Sequence, residues 1–418
     1  MPGNPAEVSE WLSRSQKHPL TIFAGFTDTY DHPSCRYRGS AAADLNDPNE
    51  PDVCPRHMAI LSLDQLLPHR PRIRGVDLFL YLSDPNWELN DNDGESTLLH
   101  HQFFKESLPN LERLDFRALH VEKRLFEIST PTALFAMDLP RLKELKYLGV
   151  CGGLMKTAKD LTSCEIGYWD QAAEPPIIDI EELQTFFNNN RTLESLTINQ
   201  CDYNDDGTQV PTALMANLKF LEVDCVAGED LETILSSIHI PQLKDLDTVN
   251  VSFNRHMLQV TATNGSDHKF IFPVWTLEKS NIHPLRHLGA EIVTLRLGEQ
   301  VTVHVIEDGP ALRKFITTLD TVQVLELDGA AYTCVWDILS TPEILPRLKV
   351  VRVVVTRADW KTTLRVLASV SEFRMVGGNP IETIEPCMAE RGCVLDQGHR
   401  AEWEKCFEEE GASNFLSK

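Results

Sequence analysis

His32, Cys35, Cys54 and His57 are the residues of this sequence whose types and spacing most invite chemistry. They form two mirrored pairs, His32-x-x-Cys35 and Cys54-x-x-His57, with eighteen residues between them. Imidazole nitrogen and thiolate sulfur both ligate zinc, and a two-residue gap lets two ligands reach one ion. The surroundings argue the other way, because this stretch is rich in Pro, Asp and Asn and lacks a strand-and-knuckle frame. Cys387, Cys393, His399 and Cys406 form a second group, but their gaps of five, five and six residues suit a metal poorly. Asp202-Tyr-Asn204-Asp-Asp206-Gly207 opens like a calcium loop, yet its twelfth position is Ala213 where a bidentate Glu is needed. A polar turn is the better expectation there. Cys151-Gly-Gly-Leu-Met-Lys156-Thr157 lacks the spacing of a phosphate loop. His100-His101, beside Phe103-Phe104, reads as a helix face. The sequence has no Gly-x-Ser-x-Gly elbow and no His-Glu-x-x-His pair. No nucleophile, base and orienting group can be assembled. The expectation is therefore a protein that is not an enzyme, with no catalytic, cofactor-binding or metal-ligating residue. A metal-dependent enzyme is the alternative, and it would stand on His32, Cys35, Cys54 and His57.

Charge narrows the partners. The 418 residues carry 39 Lys and Arg against 62 Asp and Glu, a formal charge of −23. Nucleic-acid binding needs a basic surface that displaces counterions from phosphates. The basic clusters here are local, as in Arg70-Pro-Arg72-Ile-Arg74. An acidic chain is also repelled by an anionic membrane surface. Neither nucleic acid nor membrane is expected as a partner. No apolar run reaches the ~18 residues that a membrane span needs. The opening residues lack a basic stretch followed by an apolar one, so no secretory signal is read there. Ten cysteines in no dense framework suggest thiols in a reducing compartment, cytoplasmic or nuclear. Asn264-Gly265-Ser266 matches a glycosylation sequon, but in this setting it reads as a turn.

The elements that would carry any site are announced by a recurring phrase. Leu111-Glu-Arg-Leu114-Asp-Phe116 returns as Leu142-Lys-Glu-Leu145-Lys-Tyr147 and Leu193-Glu-Ser-Leu196-Thr-Ile198. It returns again as Leu218-Lys-Phe-Leu221-Glu-Val223, Ile292-Val-Thr-Leu295-Arg-Leu297, Val322-Gln-Val-Leu325-Glu-Leu327 and Leu348-Lys-Val-Val351-Arg-Val353. Ile73-Arg-Gly-Val76-Asp-Leu78, Leu243-Lys-Asp-Leu246 and Val370-Ser-Glu-Phe373-Arg-Met375 are weaker copies. Starts at 111, 142, 193, 218, 243, 292, 322 and 348 are 31, 51, 25, 25, 49, 30 and 26 residues apart. A leucine-rich repeat is about 20 to 29 residues long, so the two long gaps hide a degenerate repeat or an insertion. Four copies follow a proline: Leu108-Pro-Asn-Leu111, Leu139-Pro-Arg-Leu142, Ile240-Pro-Gln-Leu243 and Leu345-Pro-Arg-Leu348. Proline ends what precedes it, and the next leucine begins the strand.

Helical stretches lie between the phrases. Ile180, Leu183, Phe186 and Phe187 share one helix face, as do Leu231, Ile234, Leu235 and Ile238, and Leu312, Phe315, Ile316 and Leu319. The predicted fold is α/β, a leucine-rich-repeat-like right-handed solenoid or horseshoe with a parallel concave sheet and a β-hairpin insertion near 256–274. A doubly wound enzyme fold is the competitor, but its strands run continuously apolar where these alternate. The expected organisation is an N-terminal helix and strand cap at 1–30, an irregular loop region at 31–65 and degenerate repeats at 66–377. A C-terminal cap with an acidic tail follows at 378–418, with Trp403 and Phe407 closing that end. The segment 153–179 is expected to be a long loop.

Trp11-Leu-Ser-Arg14-Ser15-Gln-Lys-His-Pro19-Leu20-Thr-Ile22 and Leu66-Leu-Pro-His69-Arg-Pro-Arg72-Ile-Arg-Gly-Val76-Asp-Leu78 resemble segments that follow the F-box in the F-box/leucine-rich-repeat-like proteins of mushroom-forming fungi. The Leu-Pro-x-Leu lead-ins fit as well. The resemblance covers most of the chain through loose motifs. It implies a repeat fold serving as the substrate-recognition arm of a ubiquitin ligase, joined through the F-box to a Skp1-type adaptor. The sequence opens where the F-box would already have ended, so the adaptor is not expected of these residues alone. An orphan repeat scaffold with no ligase connection is the alternative.

The expected function is binding a protein. Strand side chains alternate faces, so the leucines turn inward and the residues between them turn outward. Asp115, Lys146, Thr197, Glu222, Arg296, Glu326 and Arg352 then line the binding face. Their mixed signs favour a patterned protein partner over a simple polyanion.

Overall fold

Proline and leucine together close four tight turns that precede strands of the sheet. In Leu108-Pro109-Asn110-Leu111 the Leu111 N–H donates to Leu108 O at 3.0 Å. The same bond closes Leu139 to Leu142 at 3.1 Å, Ile240 to Leu243 at 3.1 Å and Leu345 to Leu348 at 3.0 Å. Proline at the second position of a tight turn gives up an amide that the turn does not use. The computed structural model describes residues 5–27, 55–81, 102–119, 139–148, 157–167, 177–199, 202–204, 212–224, 228–254, 257–265, 267–274, 284–298, 312–327, 339–341, 343–355, 360–388 and 393–394. They form a mixed α/β structure with a large, mostly parallel sheet and, among the described residues, no closed barrel. The chain divides into two compact units, Met1–Leu218 and Lys219–Lys418.

The first unit opens with α1 (Pro5–Ser15), β1 (Leu20–Thr27), α2 (Pro55–Leu66), a 3-10 segment (Leu67–Arg72) and β2 (Ile73–Tyr81). It continues with α3 (Gln102–Lys105), β3 (Arg113–Leu119), β4 (Glu144–Leu148), β5 (Ser163–Gly167), β6 (Ile177–Asp179) and α4 (Ile180–Asn189). β7 (Ser195–Asn199), β8 (Asp202–Asn204) and β9 (Ala213–Leu214) complete it. Strands β1, β2, β3, β4, β5 and β7 pair in that order, all parallel. Each phrase sends its three apolar residues inward: Leu111, Leu114 and Phe116, then Leu142, Leu145 and Tyr147, are buried. Phe116 and Tyr147 stack, with ring centroids 4.9 Å apart. α4 buries Ile180, Leu183, Phe186 and Phe187, and Glu181 and Glu182 suit the positive end of its dipole.

The second unit holds β10 (Phe220–Asp224), α5 (Gly228–Ser237), β11 (Ile238–His239), a 3-10 segment (Pro241–Asp245), β12 (Thr248–Asn254), β13 (Met257–Thr263) and β14 (Lys269–Pro273). Then come α6 (Pro284–His287), β15 (Thr294–Leu297), β16 (Val324–Leu327), β17 (Val350–Val355), α7 (Trp360–Val376), β18 (Thr383–Met388) and β19 (Cys393–Val394). The strand order is β10-β14-β13-β12-β15-β16-β17-β18-β19. β13 is antiparallel to β12 and β14, and β18 to β19; β10–β14, β12–β15, β15–β16, β16–β17 and β17–β18 are parallel. The hairpin expected near 256–274 is therefore present, built into the sheet between β12 and β10.

Several expectations are corrected. The 153–179 stretch is not all loop. It contains β5 with a buried copy of the phrase, Leu161-Thr-Ser-Cys164-Glu-Ile166, and then β6. Cysteine in place of leucine disguised it, although a buried thiol packs as a small hydrophobe. Leu243-Lys-Asp-Leu246 is a 3-10 segment and not a strand. The true phrase starts three residues later as Leu246-Asp-Thr-Val249-Asn-Val251, and Val249 aligns with Leu295 on β15. Val370 to Met375 lies in α7, where burial of Leu367, Val370, Ser371 and Arg374 follows a helical period and leaves Phe373 and Met375 exposed. The strand copy is Ile381-Glu-Thr-Ile384-Glu-Pro386 in β18, and Ile384 aligns with Val351. Residues 55–65, expected in an irregular region, belong to α2, which starts at a proline. Asp202–Asn204, expected as a turn, is a short strand parallel to β6. Trp403 and Phe407 lie outside the described residues.

Candidate protein-binding face

Strand register turns a sequence pattern into a surface. In the first unit Phe23 aligns with Asp77, Asp77 with Asp115, Asp115 with Lys146, Lys146 with Glu165 and Glu165 with Thr197. In the second unit Arg296 aligns with Glu326, Glu326 with Arg352 and Arg352 with Glu385. Glu222 stands opposite Ile271 on β14. So Asp115, Lys146 and Thr197 share one row in their unit, and Arg296, Glu326 and Arg352 share another in theirs. Each is flanked along its strand by residues that point into the core.

These charges are engaged with each other. Arg117 grips Asp115 with both ends of its guanidinium, Nε to Oδ1 at 2.8 Å and Nη2 to Oδ2 at 2.6 Å. That bond holds the Arg117 guanidinium above its usual range. Arg113 Nη2 donates to Asp77 Oδ2 at 2.8 Å, and Lys146 pairs with Glu165, which also accepts from Asn199 Nδ2 at 3.2 Å. Burial pushes the Asp77 carboxyl up, against the pull of Arg113, while the neighbouring Asp115 pushes it further up. In the second unit Arg296, Glu326, Arg352 and Glu385 form a chain of alternating sign. Its contacts are 2.5 Å from Arg296 Nε to Glu326, 2.9 Å from Glu326 to Arg352 and 2.8 Å from Arg352 to Glu385. Bonds to Glu385 and then Glu326 raise the Arg352 guanidinium. Pairs across neighbouring strands at this exposure contribute modestly to stability, about 1 kcal/mol or less each.

The apolar exception is at the start of the first unit. Phe23 is 73 % exposed and Phe79 37 % exposed, and register places both on the outward face of adjacent strands, Phe23 beside Asp77 and Phe79 beside Gly25. Between them Asp77 Oδ1 is buried and has no hydrogen-bond partner among the described residues. Sequence reading missed Phe23, Phe79, Asp77, Glu165 and Glu385. Asp77 was within reach, since it holds the same place in its phrase as Asp115. Glu165 and Glu385 sit in the two copies that were not recognised.

The basic cluster at 70–74 has a structural use. Arg70 pairs with Glu106, and Arg74 Nη1 with Glu112 at 2.8 Å. Arg72 donates to His18 O at 3.0 and 3.1 Å, to Ser15 Oγ at 2.7 Å, and lies 3.1 Å from His69 Nδ1. His32, Cys35 and Cys54 lie outside the described residues, and so does the side chain of His57, which sits on α2. Cys387 and Cys393 face each other's neighbours across β18 and β19; their side chains, with His399 and Cys406, are outside the description too. No group of three or more His, Cys, Asp or Glu that could hold a metal occurs among the described residues. Among them, no helix is long and apolar enough to cross a membrane.

No family model matches this chain, and no curated protein matches it either.

Proposed function

We propose that this protein is a non-enzymatic, protein-binding repeat scaffold of the leucine-rich-repeat type, with a solenoid course and a concave strand face. The observation that carries the reading is the register. Side chains 26 to 31 residues apart in sequence stand on shared rows, while the apolar residues beside them are buried. Such a face offers a partner a fixed pattern of charge at little ordering cost. The charges on it are already paired, so their part in recognition is selection: a wrong partner must break an ion pair, and a right one exchanges it. Phe23 and Phe79 supply the apolar contact that affinity needs.

The resemblance to F-box/leucine-rich-repeat-like proteins makes the role a substrate-recognition arm, in or descended from a ubiquitin ligase. Affinity capture with wild type and with Glu222→Lys, Arg296→Glu and Glu326→Lys tests the face. Loss of the same captured protein in the reversals supports it, and an unchanged set of partners defeats it. Co-purification of the ligase adaptor with the natural full-length gene product separates a ligase arm from an orphan scaffold.

A further inference from the structure

β13 and β14 are joined across Asn264-Gly265, the only Asn-Gly pair in the sequence. His268 holds the Asn264 side chain at both ends. Its backbone N–H donates to Asn264 Oδ1 at 2.9 Å, and its ring Nδ1 lies 2.8 Å from Asn264 Nδ2. Gly265 has φ +89°, and among the described residues, its two chain neighbours aside, nothing lies within 4 Å of the place where a Cβ would stand. Glycine adopts this left-handed conformation without a steric penalty.

We propose that this turn is a self-modifying site, at which Asn264 is converted to a carboxylate with His268 as the assisting group. The Gly265 nitrogen attacks Asn264 Cγ, forming a five-membered imide and releasing its proton. Charge developing on Oδ1 meets the His268 N–H already bonded to it. The Cγ–Nδ2 bond breaks, and the nitrogen leaves as ammonia after taking a proton from the His268 imidazolium. In the neutral ring Nδ1 accepts from Nδ2; the imidazolium donates there only after attack has made Nδ2 a tetrahedral amine with a free lone pair. The proton lost from Gly265 restores the ring through water, so the step consumes no net proton. Water then adds to either imide carbonyl and opens the ring to aspartate or to isoaspartate. The aspartate product keeps the acceptor for the His268 N–H and adds a negative charge facing the ring. The isoaspartate product lengthens the main chain by a methylene and displaces the Asn264 N–H from His268 O, which it reaches at 3.4 Å in the unmodified turn.

The experiment incubates the folded full chain near neutral pH and follows the tryptic peptide 256–269 by mass spectrometry, beside a synthetic peptide of the same sequence. Asn264→Asp supplies the authentic product. The folded chain should convert faster than the free peptide, and His268→Ala should slow it about a hundredfold, the low end of what a positioned proton donor gives. A folded chain no faster than the peptide overturns the proposal. So does a His268→Ala variant that converts as fast as wild type, because the two contacts would then lock the amide and not activate it.

Discussion

Two buried polar side chains, one in each unit, do the same task with different chemistry. Asn190 is fully buried, with Oδ1 accepting from Leu161 N–H at 3.0 Å and Nδ2 donating to Ala158 O at 3.0 Å and Phe186 O at 2.8 Å. Arg374 is fully buried and donates to Leu345 O at 2.7 Å, Ile344 O at 3.0 Å and Leu339 O at 3.3 Å. Each ties a loop that leads to a strand, and each loop holds one residue in the left-handed region, Asp160 at φ +55° and Leu345 at φ +52°. The neutral amide is matched to its partners. The guanidinium carries a charge into the core with no carboxylate bonded to it among the described residues, leaves Nε without a partner among those same residues, and is pushed down by burial. Leu345 is itself buried and non-glycine, so its loop costs more to hold than the exposed Asp160. The lesson is that a stronger donor stands where the backbone is harder to hold.

The largest test removes the stronger tie. Arg374→Ala removes the side-chain donor from three carbonyls, of which Leu345 O keeps the Leu348 N–H, and it should cost roughly 4 kcal/mol in urea unfolding. Arg374→Met keeps the volume and removes the charge. If Met matches wild type, the carbonyls never needed the guanidinium and the comparison collapses. Asn190→Ala comes next, at roughly 2 to 3 kcal/mol. A loss as large as that of Arg374→Ala would show that charge adds nothing. The smallest effect belongs to an arginine doing similar work nearer the surface. Arg72 ties the end of α1 and leans on His69, whose ring is pushed down by burial first and by Arg72 second. A lowered folded value means that the stabilisation is present above the ordinary histidine range and is lost as pH falls through the folded value. Hydrogen exchange of residues 5–15, corrected for intrinsic rate, should rise by no more than about fivefold on mild acidification, the effect of one lost hydrogen bond. His69→Gln should remove that rise; a rise that persists in the variant assigns it to another group.

Most strands were legible because three apolar residues at fixed spacing, led in by a proline turn, leave few alternatives to one buried face. The failures have physical causes. Val370 to Met375 mimics the phrase, but a helix period and a strand phrase coincide over so few residues, and burial of Arg374 reverses the usual meaning of charge. Leu243 and Leu246 are both buried, so apolar pattern alone could not choose the start. The outward row was legible in place but not in state. Asp115, Lys146, Arg296, Glu326 and Arg352 were found by alternation, whereas the pairing of all but Asp115 depends on strand order, and that of Lys146 and Arg352 on Glu165 and Glu385, which lay in unseen copies. Phe23 and Phe79 had no signal, since an exposed phenylalanine and a buried one are the same letter.

The lead-in amides of the first unit have a mechanical consequence. Glu112 N–H reaches Arg74 O, Lys143 N–H reaches Glu112 O, Thr162 N–H reaches Lys143 O and Glu194 N–H reaches Thr162 O, each at 2.8 Å. Every fastening joins a strand of this sheet to the sheet strand that precedes it along the chain, so tension applied at one end loads a single seam at a time. Pulled in this way, the unit should yield like a zip, strand by strand at low force, where a sheet of shuffled strand order would resist and then rupture at once.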